Sequence, residues 1–152
     1  MDGGRAHAVT FPPLTELVAH RPPMLLLDRV VAADGDSVTC EVDLHAGSMF
    51  ARDGAVSAVV FVEYMAQAVA ACAGLRARAR GEAVTPGLLL GSREVAFMVR
   101  EARAGDRLEV RAALVWSDPA MGSYVCEVRR DGEVLACGTL NVYQGEISSI
   151  DP

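Results

Sequence analysis

The sequence predicts an α+β fold in which one antiparallel sheet curls around a single long central helix. Three observations lead there. An apolar run of helical length lies near the middle of the chain, rich in alanine and without an internal proline. Strand-like segments separated by turn residues flank it on both sides. The run is apolar around almost its whole circumference, so other structure has to wrap most of it.

The opening "MDGGRAHAVTFPP" is polar and turn-rich and is expected to form a flexible N-terminal arm. A short helix follows over Leu14–Ala19. It ends near His20 or Arg21, because Pro22 and Pro23 push the preceding residue out of the helical region. Residues 24–33 read as a strand, "DGD" as a turn and residues 37–44 as the returning strand. "HAGSMFARDGA" is irregular and rich in small and turn residues. The long helix is expected over about Val56 to Ala79, with Arg76, Arg78 and Arg80 at the negative end of its dipole. Four strands complete the chain: "GLLLGSREVAFM", "RLEVRAALVWS" after the turn "EARAGD", "SYVCEVRR" after "DPAMG", and "EVLACGTLNVYQ" beyond an Asp-Gly hairpin turn. One helix and a run of antiparallel strands bury each other only if the sheet curls around the helix, a hotdog arrangement. A lone sheet of this kind has open edges that a second subunit can pair into a continuous sheet.

The 152 residues suit a single domain over 1–152, with a core of about 14–144 and a frayed polar tail after Gln144. A formal charge of −6 argues against nucleic acid as a partner, since phosphate binding needs a cationic surface. Cys40, Cys72, Cys126 and Cys137 lack metal-binding spacing and read as reduced, mostly buried thiols, so neither metal nor cofactor is expected. The N-terminus has no signal-peptide core, and the run Ala55–Ala73 carries Glu63 and Gln67 near its centre, which is costly at a bilayer midplane. A cytoplasmic protein without a membrane span is the expectation.

Four stretches carry a family resemblance. "LVAHRPPMLLLDRVV" resembles the opening "L-P-H-R-x-P-[FM]-L-L-[VL]-D-R-V" of β-hydroxyacyl-[acyl-carrier-protein] dehydratases. "VEYMAQA" resembles that family's helix motif, "PGLLLGSREVAF" its following strand and "DGEVLACGTLNV" its last hairpin. In "EYMAQA", "LLGxR" and "LNVYQ" the chain is most similar to a divergent branch, the dehydratase-like proteins of aryl polyene pathways. The resemblance implies a hotdog dimer that eliminates water from a 3-hydroxyacyl chain held on an acyl carrier protein. It also implies a histidine that removes the C2 proton, a glutamate of the other subunit that protonates the departing hydroxyl, and backbone amides at the helix start that polarise the thioester carbonyl.

Glu63 matches the family's acid, and burial in an apolar helix would raise its pKa and keep it protonated. Ungapped alignment on Glu63 puts Met49 where the family has its histidine, with Phe50 on the family phenylalanine. Methionine accepts no proton. His20, from "AHRPP", is the leading replacement base, against a structural role bonding loop backbone; His45 would need a loop rearrangement, and His7 falls in the arm. Gln67, one turn after Glu63, either orients that acid or satisfies a buried strand carbonyl. Ala58 retains an amide for carbonyl polarisation, and Met49, Phe50, Met65 and Met98 are candidates to line an acyl tunnel, against plain core packing. Arg76, Arg78 and Arg80 either face an acidic carrier protein or cap the helix in solvent.

Three functions fit these residues. The first is a dehydratase-like enzyme giving a 2-enoyl thioester, with Glu63 as acid and His20 as base. The second is a half-catalytic or non-catalytic partner in a heterodimeric dehydratase, which accounts for Met49 directly. The third is a hotdog thioesterase in which ionised Glu63 activates water.

Overall fold

A computed structural model describes residues 10–144. Residues 1–9 of the predicted N-terminal arm, with His7, and the tail after Gln144 lie outside the described residues; the end of the arm is corrected, because Phe11 packs against the core. Strands β1 (Arg29–Asp34) and β2 (Ser37–Asp43) form a hairpin; β3 (Ala55–Ser57) and a 3-10 turn (Ala58–Val60) lead into α1 (Phe61–Ala79), the single α-helix among the described residues. Strands β4 (Leu88–Phe97), β5 (Glu101–Arg103), β6 (Arg107–Ser117), β7 (Met121–Arg130) and β8 (Glu133–Tyr143) follow. Six of them form an antiparallel sheet in the order β1-β2-β6-β7-β8-β4, and β3 pairs with β5 in a separate ribbon. The sheet curls around α1, the hotdog arrangement expected from the sequence.

Alternation along the central strands decides which face meets the helix. Val38, Cys40 and Val42 of β2, Leu108, Val110 and Ala112 of β6, and Tyr124, Cys126 and Val128 of β7 are all buried. They share one core with Tyr64, Met65, Ala68, Ala71 and Cys72 of α1, so α1 is a core helix and not a span. The β7–β8 hairpin turns on Asp131 and Gly132, both at positive φ, the backbone that a two-residue type I′ turn requires.

Three local expectations are corrected. The helix over Leu14–Ala19 is only a 3-10 turn at Leu14–Glu16, too short a segment between prolines to repay α-helix nucleation. The first strand begins at Arg29, because the amides of Met24 and Leu25 bond the Arg21 carbonyl at 2.9 and 3.1 Å and Leu26 bonds the Gln67 side chain; pairing with β2 starts only at the Asp28 amide, which donates to the Glu41 carbonyl at 2.9 Å. The long helix begins at Phe61, because Ala55–Ser57 is drawn into pairing with Glu101–Arg103, which read in the sequence as part of a turn.

Gly74 governs how the N-terminal segment docks on α1. A Cβ there would lie 2.1 Å from the Leu17 carbonyl oxygen, so only glycine allows this approach. Leu17, with no exposed surface, is thereby seated on the helix, and His20 follows a few residues on. At the far edge of the sheet, β4 is exposed along most of its length and presents Leu88, Leu89, Leu90 and Phe97.

Candidate functional site

Glu63 lies in the first turn of α1. The expectation that it is shut away in apolar surroundings is corrected: its side chain is 40% exposed. The physical reason is the face it shares. Ala66, Ala70, Ala73 and Ala77 recur on that face at helical spacing and are only half-buried. Their methyl groups are too short to reach the opposite wall, so a groove of about 350 Å³ runs along the helix from His20 and Glu63.

Gln67 is fully buried and makes three hydrogen bonds. Its Oε1 accepts from the Leu26 amide at 2.8 Å; its Nε2 donates to the Met24 carbonyl at 2.8 Å and to Glu63 Oε1 at 3.0 Å. The backbone donor and acceptor together leave only one orientation for the amide. Both sequence-level roles are therefore realised: Gln67 satisfies the backbone and orients Glu63. A direct contact with substrate is not, because the side chain has no exposed surface.

His20 stands across from the acid, its Nε2 3.6 Å from Glu63 Oε1, with 35% of its side chain exposed. That is ion-pair range, just outside a hydrogen bond. His20 Nδ1 is shielded from solvent and has no hydrogen-bond partner among the described residues. Arg21 braces the backbone at this point, its Nη1 donating to the carbonyls of Val18 at 2.9 Å and His20 at 2.8 Å. The groove thus has an acid and an imidazole of one chain at its mouth, an arrangement able to give and take one proton each.

The remaining sequence candidates fall elsewhere. Met49 packs against the core as an apolar side chain, and Phe50 is exposed with φ at +68°; neither lines the groove. Their loop closes on itself, with Ser48 N bonding His45 O at 2.9 Å and Ala51 N bonding Ser48 O at 3.0 Å. His45 belongs to the same turn, its Nδ1 accepting from Gly47 N at 3.1 Å. Ala58 does not present a free amide: its N–H donates to the Arg100 carbonyl at 2.9 Å as the β3–β5 pairing runs on. Met65 is fully buried in the core, and Met98 is exposed away from the groove. Arg76 pairs with Asp36 and Arg78 with Glu16, which leaves Arg80 at the groove's far end.

Sequence reasoning missed the groove's far wall, where β4 and β8 bring Leu88, Leu89 and Val142, with Gln144 just beyond β8, opposite α1. The alanine spacing on α1 was the legible signal; the strand residues facing it carried none.

Residues 12–150 match the family model of ApeP-like proteins, described as ApeP dehydratase. A chain of the dehydratase heterocomplex ApeI:P from Xenorhabdus doucetiae is similar at 30% identity over 91% of this chain and 95% of its own, with a TM-score of 0.86. The PaaI protein of the Escherichia coli phenylacetic acid degradation operon is 16% identical over 76% of this chain and 81% of its own, at a TM-score of 0.59. The TT0310 protein of Thermus thermophilus is 22% identical over 76% and 90%, at 0.57. The last two share the fold alone. No curated protein matches the chain.

Proposed function

This chain belongs to the ApeP-like dehydratase family, and on that premise we propose that it dehydrates 3-hydroxyacyl thioesters carried on an acyl carrier protein, with Glu63 as acid and His20 as base. The contact at 3.6 Å between His20 Nε2 and Glu63 Oε1, in the groove along the alanine face of α1, carries the reading. His20 takes the C2 proton through Nε2. The C–H electron pair becomes the C2–C3 double bond as the C3–O bond breaks, and the Glu63 carboxyl, oriented by Gln67, gives a proton to the departing hydroxyl, which leaves as water. Imidazolium and carboxylate then face each other, and one proton transfer between them restores the starting state. Gln67 holds Glu63 in place throughout. On this reading the protein works in the cytoplasm beside its carrier.

A second reading has its own observation. Met49 occupies the position of the family histidine, and a similar chain is part of a two-component dehydratase complex. Here Glu63 is contributed to a site that a histidine-bearing hotdog subunit completes, the two chains meeting along the open edge of β4.

One experiment tests both. The pure chain is incubated with a 3-hydroxyacyl carrier protein, with and without a histidine-bearing hotdog partner, and loss of water is followed by mass spectrometry. Turnover by the pure chain that is abolished in Glu63→Gln and reduced in His20→Gln supports the first reading. Turnover only with the partner, insensitive to His20→Gln, replaces it with the second. Release of free thiol without dehydration overturns both.

A further inference from the structure

The groove has two unlike ends. Its mouth holds His20 and Glu63 at the first turn of α1, and its far end lies beside Ala77 and Arg80. From Glu63 to Ala77 the helix rises about 21 Å, a length that suits an extended acyl chain lying along the alanine face. At that end the segment 82–87 and Gln144, just beyond β8, line the groove together; a Cβ at Gly87 would lie 3.2 Å from the carbonyl oxygen of Tyr143, the neighbour of Gln144.

Gln144 is held there from two sides. Its amide N–H donates to the Ala120 carbonyl at 2.6 Å, which ties it to the β6–β7 turn, where Asp118 Oδ1 accepts from the amides of Ala120 and Met121. Its side-chain Oε1 accepts from the Tyr124 hydroxyl at 3.2 Å. Tyr124 is buried, and burial pushes its phenol up to about 12, so it remains a donor. The side chain has room to fold inward because residue 122, next on the same strand face, is glycine. A Cβ there would lie 2.9 Å from Gln144 Nε2 and 3.1 Å from its Cδ.

We propose that Gln144, seated over Gly122 by the Tyr124 hydroxyl, is the distal stop of the groove and determines how long an acyl chain the site accepts. The inference rests on the dehydratase reading for its substrate and adds the residue that selects among chain lengths. Truncating Gln144 opens the far end; a methyl at 122 drives the amide into the groove; a larger side chain on the helix face blocks it midway.

The test compares Gln144→Ala, Gly122→Ala and Ala73→Leu with the wild type. Each is given carrier-bound 3-hydroxyacyl chains of short, medium and long length, alone and with a histidine-bearing partner, and its fold is checked by thermal unfolding. The readout is the ratio of long-chain to short-chain kcat/KM. Gln144→Ala is expected to raise that ratio roughly tenfold and Ala73→Leu to lower it by a similar factor, the scale on which single methylenes are discriminated in apolar pockets. Gly122→Ala lowers it as well. A ratio unmoved by Gln144→Ala and Ala73→Leu, in folded proteins that turn over, overturns the proposal and leaves the dehydratase reading intact. If the wild type turns over nothing, the dehydratase reading fails. Binding of a fluorescent long-chain acyl thioester then decides the stop: tighter binding of longer chains in Gln144→Ala supports it, and unchanged chain-length preference overturns it.

Discussion

Gln67 Nε2 lies 3.0 Å from Glu63 Oε1 and 2.8 Å from the Met24 carbonyl oxygen, so one buried amide joins the helix acid to the segment that carries His20. The acid and the imidazole are therefore positioned by a single structural unit.

Replacing Gln67 with alanine strands the buried Leu26 amide without a partner and removes the part-buried bond to the Met24 carbonyl. The expected cost is on the order of 3 kcal/mol of folding stability, read from chemical denaturation. Dehydration by the surviving folded protein falls with it, because Glu63 loses its anchor. Gln67→Glu removes the amide donors and restores neither property. Full turnover in Gln67→Ala would show that Glu63 does not depend on this bond.

Gly74→Ala sets two effects against each other. Alanine in a helix interior gains about 1 kcal/mol over glycine. The new methyl meets the Leu17 carbonyl oxygen at 2.1 Å, however, and backbone cannot step aside as a side chain would. Overpacking of this kind costs roughly 1–3 kcal/mol, so the net change is destabilising. It also lifts the segment that holds His20 away from Glu63. Thermal unfolding checks the first effect; turnover, in protein still folded at the assay temperature, checks the second.

Acid weakens the β1–β2–β6 corner. Hydrogen bonds from Arg107 and then Arg29 hold Asp43 below the usual carboxylate range. A folded-state pKa below the unfolded one means that this contribution is present above about pH 4 and is lost as pH falls through the depressed value. Asp43→Asn is expected to flatten the acid limb of a plot of Tm against pH while changing its neutral plateau little, since the group is exposed. An unchanged acid limb would place the sensitivity at other carboxylates, such as Asp106.

The open edge of β4 invites a second subunit. Leu90 is 53% exposed there. Leu90→Glu is expected to weaken association with itself or with another hotdog chain, as measured by native mass spectrometry, without altering the monomer's circular dichroism. Undiminished association would move the interface away from β4.

Most of the scaffold was legible in the sequence because it depends on patterns along the chain. The period-two burial of β2, β6 and β7, the Asp-Gly turn and the alanine-rich helix all follow from local periodicity and turn chemistry. The start of α1 was not legible: Val56 suits helix and strand alike, and only pairing with Ala102 decides for the strand. Glu63, His20 and Gln67 were recognisable as candidates from the family-like motifs and their spacing.

What the residues do was decided by contacts between distant parts of the chain. Nothing local to Ala58 reveals that its amide is taken by Arg100, on a segment more than forty residues later. By itself the sequence determined a helix wrapped by a sheet and a carboxyl in that helix, because periodicity and residue chemistry act over neighbouring positions. Tertiary structure alone brought His20 to Glu63 and seated Gln67 between Met24 and Leu26. Hydrogen bonds and close approaches of that kind exist only once the chain has folded back on itself.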